Sequence, residues 1–170
     1  MAATSPRALI VDDDPGFLLG LAELVRREGF AVVTAGSLKQ AREEIAANAP
    51  DILLVDLHLP DGSGLDLLAE FEPPNAPEVV LITGDASVET AVDALRQGAI
   101  DYLTKPVDFA RIKMALANVA RTLGKGAGAL TLLRWIDREA RANDSDKIRT
   151  FALHEGARRL LRKSGYYSVK

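Results

Sequence analysis

Five short apolar segments, each followed by a stretch with helical periodicity, constrain the fold of this 170-residue chain more than any other feature. The segments are rich in leucine or β-branched residues: 8–11, 31–34, 52–55, 79–82 and the weaker 102–103. Strands that are buried on both faces of a parallel sheet have this composition. Their alternation with helices predicts an open, doubly wound α/β domain with five parallel strands and five helices.

The predicted helices begin and end at residues with a physical reason to stand there. Short polar side chains that can cap a helix N-terminus precede four of them: Asp14, Ser37, Ser87 and Asp108. Pro15 suits the first position of the first helix, and Gly29 closes that helix. In the last helix, Phe109, Ile112 and Leu116 are predicted to be core rather than interface residues, although their spacing alone does not separate the two roles.

Composition narrows the class of protein. The chain has no cysteine, which excludes disulfides, thiolate zinc sites and cysteine catalysis. Its first residues have too short an apolar run for a secretory leader, and no segment approaches the roughly 20 apolar residues that span a bilayer. A cytoplasmic protein without a membrane segment is therefore expected.

The charge distribution predicts two parts with different roles. Residues 1–123 carry 10 Lys+Arg and 19 Asp+Glu, a net charge of −9, whereas residues 124–170 carry 11 and 5, a net charge of +6. Residues 124–129 have the composition of a flexible linker, and 130–170 are predicted to form a basic, helical extension. Its arginines could contact nucleic-acid phosphates. The favoured alternative is that two helices pack together there and the arginines face solvent.

Chemically active side chains follow the predicted strands. They are Asp12, Asp13 and Asp14 after the first strand, Asp56 after the third, Thr83 and Asp85 after the fourth, and Lys105 after the fifth. Since the carboxyl ends of parallel strands share one edge of the sheet, these groups should converge. Crowded carboxylates call for a cation, and Mg²⁺ is the expected one. A carboxylate can also attack phosphorus, with a lysine neutralising the transferred group. Asp14 is interpreted chiefly as a helix cap.

Four segments carry a specific resemblance that covers about seven-tenths of the chain. They are LIVDDD (9–14), DILLVDL (51–57), LPDGSG (59–64) and DYLTKP (101–106). Together they resemble the receiver domain of bacterial two-component response regulators, and residues 86–102 are similar to receivers of transcriptional regulators. The resemblance implies a flavodoxin-like fold with strand order 2-1-3-4-5. It also implies transfer of a phosphoryl group from a sensor histidine kinase.

The resemblance assigns roles residue by residue. Asp56 is implied as the phosphoacceptor, and the Mg²⁺ ligands are implied to be Asp12, Asp13, Asp56 and the backbone carbonyl of His58. Thr83, Tyr102 and Lys105 match the switch hydroxyl, the switch aromatic and the phosphate-binding lysine, and the Lys105–Pro106 bond is implied to be cis. The side chains of His58 and Asp85 are predicted to tune the lifetime of the phosphorylated state.

Rival functions are weaker. A phosphohydrolase or phosphomutase with a nucleophilic aspartate needs an acidic residue two positions later, where this chain has His58. A degenerate receiver would lack the acceptor or the lysine, and neither is lacking. The expected protein is therefore a switch, not an enzyme with a separate substrate. Its fourth helix, fifth strand and fifth helix are predicted to control homodimerisation or an output partner, with transcription as the regulated process. Among outputs, an ATPase is excluded for want of a phosphate-binding loop, and a helix-turn-helix has little support in 130–170.

Overall fold

A five-stranded parallel sheet organises the chain in the computed structural model, which describes residues 5–72 and 76–123. The strands are β1 (Arg7–Val11), β2 (Ala31–Ala35), β3 (Ile52–Asp56), the two-residue strands β4 (His58–Leu59) and β5 (Gly62–Ser63), β6 (Glu78–Thr83) and β7 (Asp101–Thr104). In the main sheet the order is β2-β1-β3-β6-β7, and every pairing is parallel. This is the predicted order 2-1-3-4-5. The antiparallel β4–β5 hairpin is an addition that the sequence patterns did not predict.

Within the described residues, four helices connect the strands of the main sheet and a fifth follows the last strand, as predicted. They are α1 (Pro15–Arg27), α2 (Leu38–Ala47), α3 (Gly64–Ala69), α4 (Val88–Arg96) and α5 (Phe109–Thr122). The four predicted N-caps are confirmed, because the side chains of Asp14, Ser37, Ser87 and Asp108 each accept a backbone N–H of the first turn. Gly29 has a φ of 91°, a left-handed conformation that suits glycine after the end of α1.

The core lies on both faces of the sheet, because alternate strand residues point to opposite sides. One face packs against α1 and α5, and the other packs against α2, α3 and α4. All five residues of the central strand β3 are buried. Each fully buried Leu or Ile contributes about 1.5–3 kcal/mol, so the central strands supply much of the stability of the sheet that carries the site.

Two helices bury less apolar surface than their sequence pattern indicates. Phe109, predicted to be core, is 52% exposed, because it is the first residue of α5 and the buried face of that helix begins one turn later at Ile112. In α4 the only buried residue is Ala94. The larger apolar side chains of this helix, Val88, Val92 and Leu95, are exposed.

The predicted linker (124–129) and basic helical extension (130–170) lie outside the described residues, so the division of the chain at 123 stays a prediction. Within the described part of the chain, none of the helices has both the length and the apolar character that a bilayer span requires.

Candidate functional site

The sheet brings the predicted site residues together at its carboxyl edge. Asp12 directly follows β1, Asp56 ends β3 and Thr83 ends β6. Lys105 directly follows β7, and its backbone N–H donates to the carbonyl of Thr83 at 2.8 Å. Parallel pairing therefore fixes the backbones that carry these side chains, and no long loop has to be ordered to form the site.

An ammonium group bridges two buried carboxylates at the centre of the site. Lys105 Nζ lies 2.5 Å from Asp12 Oδ2 and 2.9 Å from Asp56 Oδ2. Asp12 is 1% exposed and Asp56 is 7% exposed. Buried carboxylates without a partner would be strongly destabilising, and the bridging lysine compensates part of their charge.

The electrostatic environment changes the proton affinities of these groups. Burial raises the pKa of the Asp12 carboxyl, although hydrogen bonds from Lys105 and from the Asp14 amide act in the opposite direction. Burial of the Lys105 ammonium would lower its pKa, but the hydrogen bonds that it donates to Asp12 and Asp56 outweigh burial, and its pKa is raised. Lys105 therefore stays charged at neutral pH. Burial disfavours the ionised form of Asp12, so additional positive charge beside this carboxylate would stabilise it.

Three carboxylates form a potential cation site beside the lysine. Oxygen atoms of Asp12, Asp13 and Asp56 all lie within 4.8 Å of one another. Asp13 is exposed, unlike the other two, so the cluster opens to solvent on one side. Closely spaced hard oxygen ligands with one open side fit Mg²⁺, which keeps several waters and takes one or two carboxylates plus substrate oxygens.

Replacement of Asp13, the exposed member of the cluster, is expected to weaken Mg²⁺ binding without unfolding the protein. Asp13→Asn removes one of the three clustered carboxylate charges, so we expect Mg²⁺ affinity to fall by about tenfold or more, as measured by isothermal titration calorimetry. Asp14→Asn is the matched control, because it removes the same charge one residue away while asparagine still caps α1. Equal losses in the two variants would mean that Asp13 acts only through the overall negative charge.

The hairpin after β3 is held close to the carboxyl end of that strand. The backbone N–H of His58 donates to Asp56 Oδ1 at 3.1 Å. At the tip of the hairpin, Asp61 accepts the N–H groups of Leu38 and Lys39 at 2.8 and 2.9 Å. These bonds also lower the pKa of Asp61 and tie the hairpin to the first turn of α2.

The close approach of backbone segments explains a glycine in the LPDGSG segment. A Cβ at Gly64 would lie 2.3 Å from the carbonyl oxygen of Asp56 and 3.1 Å from Val55 Cγ2. Only glycine allows the start of α3 to pack directly on the end of β3.

The predicted switch residues lie on neighbouring strands but have different partners. Thr83 is fully buried, and its hydroxyl accepts the N–H of Asp85 at 3.1 Å. The Tyr102 hydroxyl lies 2.7 Å from the Thr90 hydroxyl on α4. Thr90 also completes the capping box with Ser87 at the start of that helix. Tyr102 is therefore connected to α4 in this conformation.

Three further features surround the central ammonium group: a helix cap, a cis peptide bond and an aromatic ring. Asp14 Oδ1 accepts the N–H groups of Gly16 and Phe17, which is the capping role preferred for it. The Lys105–Pro106 bond is cis. Phe17, whose ring lies under the Lys105 ammonium, was not predicted to belong to the site, because an apolar residue in the first turn of a helix gives no signal of a functional contact.

Residues 8–117 match the response regulator receiver domain family. The chain belongs to this family. Among its relatives, this receiver domain is 42% identical over 117 residues to the response regulator protein PilR of Pseudomonas aeruginosa, covering 68% of the chain and 26% of PilR. It is 38% identical over 114 residues to the alginate biosynthesis transcriptional regulatory protein AlgB of the same species, covering 66% of the chain and 25% of AlgB.

Solved structures agree with this assignment. The receiver domain resembles the beryllofluoride-activated NtrC4 receiver domain dimer with a TM-score of 0.62 and 31% identity, covering 66% of the chain and 94% of that structure. The match to the two curated relatives spans only about a quarter of their length. The chain therefore contains a receiver domain of two-component response regulators that is related to transcriptional regulators.

Proposed function

We propose that this receiver domain is a phosphorylation switch in which Asp56 accepts a phosphoryl group from a sensor histidine kinase. One observation carries the proposal: the Asp56 carboxylate is bonded to the Lys105 ammonium and clustered with the carboxylates of Asp12 and Asp13. A nucleophile, a fixed cation and a set of oxygen ligands for a metal ion are the groups that phosphoryl transfer needs. The proposal includes a cytoplasmic location, where ATP supplies the phosphoryl group to the kinase.

The proposed step is a displacement at phosphorus. An Asp56 carboxylate oxygen forms a bond to the phosphorus of the kinase phosphohistidine, the P–N bond breaks, and the released imidazole takes a proton from solvent. Lys105 neutralises charge on the phosphoryl oxygens. Mg²⁺, held by Asp12, Asp13, Asp56 and the His58 carbonyl, would supply further charge neutralisation and orient the phosphoryl group. The only turnover is on the protein's own aspartate, so the domain is proposed not to act as an enzyme on a separate substrate.

The proposed output passes through Thr83 and Tyr102. A phosphoryl group on Asp56 gives the Thr83 hydroxyl a stronger acceptor than its present local bonds to Asp85. Movement of Thr83 toward that group would free space for the Tyr102 ring. Turning the ring inward would break its hydroxyl contact with Thr90 and loosen the start of α4. Phosphorylation thereby shifts the population between two arrangements of the α4–β7–α5 face.

The partner of this face is proposed to be a second copy of the chain or an output segment that regulates transcription. The exposed apolar residues Val88, Val92 and Leu95 of α4 provide surface for such a contact. The activated NtrC4 receiver domain is a dimer, which supports the first partner. AlgB is a transcriptional regulatory protein, which supports the second. Nucleic-acid binding by the basic extension stays a prediction outside the described residues.

Intact mass spectrometry after incubation with acetyl phosphate tests the switch. We expect one phosphoryl adduct on the wild-type protein in the presence of Mg²⁺ and none when EDTA replaces it. Size-exclusion chromatography of the same samples is expected to show a larger species only after phosphorylation. A protein that binds Mg²⁺ but takes no phosphoryl group would be a phosphorylation-independent binding module instead.

Two polar side chains that follow Asp56 and Thr83 in the chain are expected to set the lifetime of the phosphorylated state. His58 and Asp85 are both exposed, two residues beyond Asp56 and Thr83, where each could hold an attacking water. We expect His58→Ala and Asp85→Ala to slow dephosphorylation by roughly three- to tenfold, less than the loss of an optimally placed base, while phosphorylation persists. The decay of the adduct is followed by mass, with Asp93→Ala on the exposed side of α4 as control. Decay at the wild-type rate in both variants would remove this role.

A further inference from the structure

An aromatic ring is the third partner of the central ammonium group. Lys105 Nζ lies 4.3 Å from the centroid of the Phe17 ring, in addition to its bonds with Asp12 and Asp56. A cation at this distance is attracted by the negative face of the ring. The Lys105 side chain is 24% exposed, so the contact is partly shielded from water, which strengthens it.

The ring is fixed by its own surroundings. The backbone N–H of Phe17 donates to Asp14 Oδ1 at 3.2 Å, which places the residue in the capped first turn of α1. The side chain is partly buried and packs against the core cluster between the sheet, α1 and α5. Phe17 therefore offers Lys105 a packed aromatic surface that restricts a side chain with many rotamers when it is free.

The three partners of Lys105 differ in net charge. Asp12 and Asp56 attract the ammonium with full negative charges, and both carboxylates belong to the proposed Mg²⁺ site. A phosphoryl group that reached the site would compete with them for the same positive charge. The ring attracts the ammonium through its quadrupole and carries no net charge, so it restrains Lys105 without neutralising it.

We propose that Phe17 is a positioning residue for phosphoryl acceptance. Its ring holds the Lys105 ammonium beside Asp56 and leaves the positive charge available to the phosphoryl group. The inference rests on the proposed function, since it assigns a task to Phe17 within that reaction. Phe17 lies within the matched residues 8–117 but outside the four short segments whose residues were assigned roles by the resemblance.

The contact itself is tested by NMR on protein with ¹³C,¹⁵N-labelled lysine. Protons near an aromatic face are shifted upfield by the ring current, so the Lys105 ε-methylene signal is expected upfield of the other lysines in the wild type. Phe17→Leu, which keeps an apolar side chain, is expected to abolish the shift, and Phe17→Tyr to preserve it. Phe71→Leu removes a partly buried ring on the other face of the sheet and serves as the matched control.

The consequence is tested by the rate of phosphorylation with acetyl phosphate and Mg²⁺. We expect Phe17→Leu to slow the reaction by about two- to tenfold, and Phe17→Tyr and Phe71→Leu to react within twofold of the wild type. In a Lys105→Met background, adding Phe17→Leu should cause no further slowing, because the two residues act as a unit. A structural defect would instead slow both backgrounds equally.

The outcomes separate this inference from the proposed function. If the wild type accepts a phosphoryl group but Phe17→Leu reacts equally fast, or is slowed equally in the Lys105→Met background, the positioning role is wrong. If the Lys105 signal of the wild type shows no upfield shift, the contact is absent and the role is also wrong. If the wild type takes no phosphoryl group at all, the proposed function fails and the role of Phe17 in it fails too, whatever the NMR spectrum shows.

Discussion

Asp56→Asn is expected to show no phosphoryl adduct after incubation with acetyl phosphate and Mg²⁺, under conditions in which the wild type is modified. The amide cannot act as the nucleophile, because its oxygen lacks the negative charge that attacks phosphorus. The fold should survive, since the asparagine oxygen can still accept the His58 N–H and the side-chain volume is unchanged. Intact mass and circular dichroism measure the two expectations on the same sample.

The matched control for this variant is Asp93→Asn, the same substitution on the exposed side of α4. It should be phosphorylated like the wild type. An adduct on Asp56→Asn at the wild-type level would show that a different group accepts the phosphoryl group. Asp12 and Asp13, which belong to the same carboxylate cluster, would then be the first residues to test.

Gly64→Ala is expected to destabilise the protein by about 2–4 kcal/mol, because the new methyl group has no room beside the Asp56 carbonyl. Relief of the clash requires α3 or the end of β3 to move, so the position of Asp56 changes as well. We therefore expect slower phosphorylation together with the lower stability. Urea denaturation gives the free energy of unfolding, and mass spectrometry gives the rate.

Gly20→Ala is expected to have the opposite effect on the free energy of unfolding. A Cβ at Gly20 meets no atom within 4 Å, and the residue lies in the interior of α1. Alanine there should stabilise the protein by about 0.5–1 kcal/mol through helix propensity. If Gly64→Ala were as stable as Gly20→Ala, the predicted clash between α3 and the end of β3 would be contradicted.

The strands themselves and the gathering of the carboxylates could be predicted because both depend on short-range patterns. Buried strands are apolar along most of their length, so β1, β3 and β6 stand out in the sequence. The residue after each such strand lies at the carboxyl edge by topology alone. The resemblance to receiver domains then supplied the strand order and the individual roles, which periodicity does not contain.

Contacts between distant elements could not be predicted in this way. The ring of Phe17 under Lys105 and the caps that Asp61 provides to α2 join residues far apart in the chain, through side-chain directions that no local pattern encodes. The larger apolar side chains of α4 and the ring of Phe109 have core-like spacing, yet they are exposed. Spacing identifies an apolar face, but whether another element covers that face depends on the tertiary packing.

The shallow attachment of α4 affects how such proteins diverge. Since Ala94 is its only buried residue, most positions on α4 can be exchanged for a few tenths of a kcal/mol, whereas changes at the pocket disrupt buried charges. Under the proposed function, duplicated copies of a gene would therefore acquire different partners through this helix while they keep one chemistry. Under the same proposal, separate signalling pathways within one cell become insulated from each other by substitutions that leave stability almost unchanged.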